Sequence, residues 1–300
     1  MILVIGEILY DLFPTYRRIG GAPFNFAFHL KQLGFDVRFV SRVGEDELGR
    51  GILDFLAGYG FARSDIQRDP DRPTGTVNVA MAGDGSHSFS IVPDTAYDNI
   101  TFDRRLRELC AAGPEMVYFG TLIQRTAGGH RLIQSLLDSL AARTLKFCDI
   151  NLRPGCYTRD VLEASVSRAD ILKLSHEELD ELVPENGNSL QQRAAALLGP
   201  PGPRQVILTC GEHPSIWTTD RGASVGPSSE DMQSEIADTV GAGDAYAAMA
   251  AAARLAGLAD GHAMAAAHEF ASGICRVRGA LPEDPDFYTP FLSRLSHDNR

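Results

Sequence analysis

The run Asp238-Thr239-Val240-Gly241-Ala242-Gly243-Asp244-Ala245-Tyr246-Ala247 carries the most chemistry per residue in this chain. A polar, glycine-rich turn leads into an alanine-rich stretch that predicts a helix over 243–256. Glycines at 241 and 243 remove side chains where the backbone must approach a ligand or take a positive φ. Amides left free at a helix start form a ready anion site. Asp244 lies inside that site, where the helix dipole favours the ionised carboxylate. An anion cradle with a base at its centre is the arrangement that phosphoryl transfer to a hydroxyl requires.

Five further clusters stand beside it. Gly20-Gly21-Ala22-Pro23-Phe24-Asn25 predicts a second glycine turn into a helix, with Pro23 as a helix starter and Gly34 as its stop. Asn25 is either a donor–acceptor pair for a sugar hydroxyl or a local backbone cap. Asp11 is either an acceptor for vicinal hydroxyls or a solvated loop acid. In Asp149-Ile150-Asn151-Leu152-Arg153, Arg153 is either a fork donor to phosphate or a tie to a loop carboxylate such as Asp149. In Lys173-Leu174-Ser175-His176-Glu177-Glu178, Ser175 and Glu178 spell a capping box, with a magnesium contact as the other reading of Glu178. Thr209-Cys210-Gly211 offers a hydroxyl and a turn close to a ligand, or simply loop punctuation.

These residues need a frame. Strands are expected at 2–5, 37–41, 116–119, 145–150, 171–174 and 206–209, and helices at 24–33, 48–59, 131–142, 190–198, 243–256 and 261–277. That alternation implies a mostly parallel sheet with helices on both faces, and ligands beyond the carboxyl ends of the strands. Asp11, Asn151, Ser175 and Gly211 fall at or near such ends. Residues 74–82 and 86–92 alternate apolar and polar side chains around Gly83-Asp84-Gly85, a hairpin signal. With 11–19 they predict a small β layer over a cleft. No linker divides the 300 residues, so one domain is expected.

Composition excludes several classes. Net charge is −11 and the basic residues are scattered, which argues against a nucleic-acid surface. The five cysteines form no C-x-x-C pair, and the histidines form no metal set. No apolar run has membrane-spanning length, and the N-terminus lacks a signal-peptide pattern, so a soluble cytoplasmic protein is expected. No lysine follows a glycine, which removes a P-loop, and no G-x-G-x-x-G follows the first strand. The single G-x-S-x-G match, at 222–226, lacks a following helix.

Taken together, these motifs resemble the PfkB family of carbohydrate kinases, the ribokinase-like sugar and nucleoside kinases. The resemblance rests on Gly20-Gly21 with Asn25 and Ala27, on Val43 to Gly49, on Asp238 to Asp244, and on Arg278-Gly279-Ala280. Gly6 to Asp11, Ala96-Tyr97-Asp98 and Asp149 to Arg153 are most similar to bacterial fructokinases. It implies a three-layer α/β/α ribokinase-like fold with a mostly parallel central sheet and a small β-sheet lid, inserted at about 11–19 and 73–98. It implies Asp244 as general base, and the backbone of Gly241, Ala242 and Gly243 as the anion hole. Asp11, Gly20, Gly21, Asn25, Asn151 and Arg153 would hold the sugar. Lys173, Thr209, Gly211 and His268 would hold ATP, and Glu178 would organise Mg2+. Asp238 and the Val240 carbonyl would hold a monovalent cation such as K+.

Two departures stand out. Ser175 replaces an asparagine of the family's N-x-x-E motif. Ala22 replaces the lysine of ribokinase proper, which argues against ribose. Fructokinase is thus the expected activity. The alternatives are a kinase of a keto-deoxy sugar acid, a nucleoside or a sugar phosphate, or a sugar-sensing protein without turnover. An open strand edge in the lid predicts a homodimer.

Overall fold

The computed structural model describes residues 1–81, 87–227 and 236–297. Its first strand shows how the layers arise. In β1 (Ile2–Ile5) every residue is buried. Ile2 and Val4 enter one apolar core, and Leu3 and Ile5 enter the other. A strand buried on both faces belongs to a sheet covered by helices on both sides.

That sheet has nine strands, and β1 lies inside it. Its parallel part runs from β11 (Gln205–Cys210) through β10 (Ile171–Ser175), β9 (Leu145–Asp149), β8 (Met116–Gly120) and β1 to β4 (Val37–Gly44) and β5 (Ile66–Asp69). Two antiparallel strands, β12 (His213–Thr219) and β13 (Gly222–Val225), extend the β11 edge. One face carries α1 (Ala22–Gln32), α2 (Glu47–Gly58), α8 (Ala242–Leu255), α9 (Asp260–Ile274) and α10 (Thr289–His297). The other carries α3 (Arg104–Ala111), α4 (Ala127–Ser139), α5 (Arg159–Arg168), α6 (His176–Leu182) and α7 (Leu190–Ala195).

A second sheet of four strands, order β3-β2-β6-β7, stands apart from the first. It comprises β2 (Leu9–Leu12), β3 (Arg17–Gly20), β6 (Thr76–Met81) and β7 (His87–Ile91). β6 and β7 pair antiparallel, as the alternation predicts, and the Gly83-Asp84-Gly85 turn lies outside the described residues. Leu9, Val77 and Val79 sink into the core beneath and fix this sheet to the body.

Two local features set the site. Helix α8 is buried from Ala245 through Ala253, and its small side chains let it lie between α1 and α9. Adding methyls there would overpack the core, typically at about 1–3 kcal/mol each. Helix α1 starts at Ala22 with Pro23 second, is capped by Gly21 at φ 116°, and ends before Gly34 at φ 84°. A Cβ at Gly21 would lie 2.7 Å from the Glu7 carbonyl oxygen, so only glycine lets α1 start this close to β1. Within the 222–226 segment Gly222–Val225 form an exposed edge strand, and the two described residues that follow it, 226 and 227, are not helical.

Candidate active site

The N-termini of α1 and α8 meet at the carboxyl ends of the sheet strands. Gly241 caps α8 in the left-handed region at φ 80°. A Cβ there would come within 2.3 Å of Ala280 Cβ, so the loop after α9 leaves room only for glycine. The first bond closing the helix runs from the Ala245 amide to the Gly241 carbonyl at 2.9 Å. Among the described residues the amides of Gly241, Gly243 and Asp244 meet no acceptor. Of the three amides expected to line an anion hole, Gly241 and Gly243 are open, and the Ala242 amide closes a turn onto the Thr239 carbonyl at 3.3 Å. The Asp244 amide beside that turn is open.

Asp244 joins the two helix starts. Its Oδ2 accepts a bond from Asn25 Nδ2 at 2.7 Å, so Asn25 reaches across to the acid instead of capping its own helix. Asn25 Oδ1 is buried without a partner among the described residues. The Asp244 carboxyl titrates above the usual carboxylate range, because burial outweighs the Asn25 bond and the charges of Lys173 and Arg153. The dipole-held low value expected from sequence is not what this environment produces: the carboxylate has lost much of its water.

Asp11 lies in β2 of the smaller sheet, opposite Arg18 of β3. Its carboxylate covers Gly20, where a Cβ would come within 2.8 Å of Oδ2. Burial pushes Asp11 up to about 6, against Arg153 and Arg18. Arg153 is exposed and lies within electrostatic reach of Glu7, Asp11 and Asp244. Among the described residues its Nη1 bonds only the adjacent Leu152 carbonyl. It does not tie down Asp149, whose buried carboxylate pairs with Lys173 Nζ at 3.1 Å. Asn151 sits at φ 43° in the loop between them.

On the far side of α8 a cavity of about 540 Å³ opens. Thr209, Gly211, His268, Ala242 and Gly243 line it, along with Tyr246. Gly211 has φ 60° and open space where a Cβ would point. His268 Nε2 is buried without a partner among the described residues, and burial lowers the ring's proton affinity. Lys173, only 6% exposed, is not at the cavity surface. It lies beneath the turn, with Nζ 3.3 Å from where a Gly243 Cβ would be.

Glu178 forms the capping box with Ser175. Its Oε2 accepts the Ser175 amide at 2.7 Å and its Oε1 the Leu152 amide at 2.6 Å. It is a clasp between α6 and the loop after β9, each of its oxygens already accepting one backbone amide. No group of three or more acids, histidines and cysteines able to hold a metal occurs among the described residues.

Three participants are invisible to spacing. Glu7 is 3% exposed, packs on Gly21, and is pushed up to about 7, first by burial and further by Asp244. Ser215 and Trp217 of β12 both bond the Tyr246 hydroxyl, at 2.6 and 2.9 Å, and so lock α8. Glu7 follows a strand end, which was its one available signal.

The raised carboxyls predict a pH dependence. Folded Glu7, Asp11 and Asp149 keep protons that the unfolded chain releases between about pH 4 and 7. The folded state then binds more protons than the unfolded one, so stability declines as pH rises through that window. Glu7 alone accounts for up to about 3 kcal/mol. Asp46, whose burial is outweighed by the amides of Thr74 and Gly49, works the other way, but at lower pH. The melting temperature is expected to fall from pH 5 to pH 8, and Glu7→Gln to flatten the decline. An unchanged slope in that variant removes Glu7 from the account.

Residues 1–286 match the model of the pfkB family carbohydrate kinases. An uncharacterized sugar kinase of Pyrococcus horikoshii is 29% identical over 270 residues, covering 83% of this chain and 80% of that one. Its structure in complex with ATP superposes with a TM-score of 0.80 at 26% identity, over 98% of this chain and 99% of that one. A fructokinase of Rhizobium leguminosarum bv. trifolii is 29% identical over 267 residues, 82% of this chain and 77% of the relative. The fold and its cleft define a ribokinase-like α/β kinase. The chain belongs to the pfkB family of carbohydrate kinases, phosphotransferases with an alcohol as acceptor. No described helix is long and apolar enough to cross a membrane.

Proposed function

We propose that this chain is an ATP-dependent kinase of a neutral sugar, with fructose as the preferred acceptor. The observation that carries the reading is the start of α8: three amides without acceptors among the described residues lie beside the Asp244 carboxylate, between the 540 Å³ cavity and the smaller sheet. ATP occupies the cavity, with its base towards His268 and its phosphates at the turn. Asp11, Gly20, Gly21, Asn25, Asn151 and Arg153 surround the sugar. Asp244 takes the proton of the attacked hydroxyl. The Gly241, Gly243 and Asp244 amides face the charge that grows on the transferring group, and such preorganised donors are typically worth about 10²–10³ in rate each. Mg2+ would accompany the nucleotide phosphates and offset their charge, and Glu178, already bonded to two backbone amides, is the carboxylate that would help to hold it.

The charge balance favours a neutral acceptor. Arg153 is the one cation shared by Glu7, Asp11 and Asp244; Arg125, Arg18 and Lys173 each act on one of them and are paired with Asp98, Asp238 and Asp149, and the Gly20-Gly21-Ala22 turn adds no cation. An acidic sugar or sugar phosphate would add a negative charge to this set. The smaller sheet covers the sugar and excludes water as a competing acceptor. Its edge strands β3 and β7 meet no further strand among the described residues, which suits pairing with a second copy.

ADP release with ATP and a panel of free sugars, sugar acids, nucleosides and sugar phosphates tests the reading. Fructose is expected to give the highest kcat/KM. Sugar binding without ADP release for any acceptor overturns the kinase assignment, and a monomeric mass in light scattering of the same preparation overturns the pairing.

A further inference from the structure

The turn with the open amides is held by Asp238. One carboxylate oxygen, Oδ1, accepts the Val240 amide at 3.0 Å, and the other, Oδ2, accepts the Gly279 amide at 3.1 Å. Oδ2 also faces Arg18 Nη1 at 3.8 Å. Arg18 comes from a distant part of the chain, strand β3 of the smaller sheet. A second observation fixes its place. Gly279 has φ 84°, and a Cβ there would come within 2.7 Å of the same Arg18 Nη1. The guanidinium fills the space this glycine leaves, beside the carboxylate.

This place is where the family resemblance puts a monovalent cation, on Asp238 and the Val240 carbonyl. The residues present do not fit one. Each Asp238 oxygen already accepts one N–H, and the Arg18 guanidinium already brings a positive charge to 3.8 Å from Oδ2. A metal ion beside Asp238 would meet that charge at short range. We propose that Arg18 is the built-in cation of this turn, and that it makes the enzyme indifferent to K+. Because Arg18 belongs to the smaller sheet, it also ties the cover of the sugar to the turn that receives the phosphate. The guanidinium stands as a counter-charge 3.8 Å from Asp238 Oδ2, while the Val240 and Gly279 amides hold the carboxylate by hydrogen bonds. Loss of Arg18 leaves the acid without a counter-charge and the turn without its upper support.

The proposal rests on the kinase reading only for its turnover readout. Wild type, Arg18→Ala and Arg18→Lys are compared in K+ and in tetramethylammonium at equal ionic strength. Calorimetric titration with MgADP, thermal unfolding and sugar-dependent turnover are measured for each. Wild type is expected to change ADP affinity and kcat by less than about twofold between the two ions. Arg18→Ala is expected to bind ADP about tenfold more weakly in tetramethylammonium, with K+ recovering most of the loss and raising its melting temperature. Arg18→Lys is expected to recover part of the affinity without K+. A tenfold or larger gain of wild type from K+, in affinity or turnover, overturns the proposal. So does an Arg18→Ala protein that matches wild type in both ions. Absence of turnover with every acceptor would sink the kinase reading, while the ADP titration and the melting curves still decide this one.

Discussion

Asp244→Asn is expected to lower kcat for sugar phosphorylation by about 10²–10⁴, the usual worth of a positioned base. The substitution is chosen to leave the rest of the site in place. Asparagine at 244 keeps an oxygen that can accept the Asn25 Nδ2 bond, now 2.7 Å long. It keeps the backbone amide at the start of α8. It removes only the capacity to take a proton and a negative charge. KM for ATP should change little, and the melting temperature should hold or rise, because an uncharged amide loses less on leaving water than a carboxylate does. The expected pattern is thus a fall in kcat and in kcat/KM by the same factor, the signature of an interaction made in the transition state. The measurement is steady-state turnover with the best sugar, alongside calorimetry for sugar and nucleotide. Turnover within about tenfold of wild type removes Asp244 from the base role.

How much of this was legible beforehand follows from the range of the forces involved. The turn at 238–244 announces itself because glycine spacing, a polar start and an alanine run are local properties, and α8 begins within a residue of where they place it. The six expected strands are all present because buried parallel strands are short apolar runs. The antiparallel pair β12 and β13 is not legible in that way. His213–Thr219 starts with a proline near its end and mixes polar with apolar residues, and Gly222–Val225 is exposed throughout. The pairing of Arg153 also escaped. Spacing offers Asp149 as the nearest carboxylate in sequence, but the sheet brings Lys173 of the neighbouring strand to it instead, in register with it. The Ala242 amide is a similar case. Its sequence position is that of a free helix donor, and only the turn geometry commits it to Thr239. Glu7 was passed over because one acid after a strand carries no pattern. Its importance comes from Gly21, Asp244 and Arg153 closing round it in space.

Lys173→Met should be the most damaging single substitution to stability near the site. Lys173 is 6% exposed and Asp149 0%, with Nζ 3.1 Å from the carboxylate. Removing one member of a buried pair leaves the other charged and dry, at a typical cost of about 3–5 kcal/mol. In a chain of this size that corresponds to a fall in melting temperature on the order of 10 °C. Burial already pushes Asp149 up to about 7, with Lys173 as the main opposing influence, so its carboxyl must rise further when the ammonium is gone. A raised carboxyl contributes stability at low pH that is lost as pH rises, so the gap between variant and wild type should widen from pH 5 to pH 8. Adding Asp149→Asn should restore most of the lost stability, because no buried charge is then left alone. Turnover should not return with it. Lys173 Nζ lies 3.3 Å from the Cβ position of Gly243, directly under the open amides. A positive charge there adds to the field that the start of α8 presents to an incoming phosphate. The double variant separates the two roles: melting curves report the pair, and kcat reports the ammonium beneath the turn. Full recovery of kcat in the double variant would reduce Lys173 to a counter-ion for Asp149.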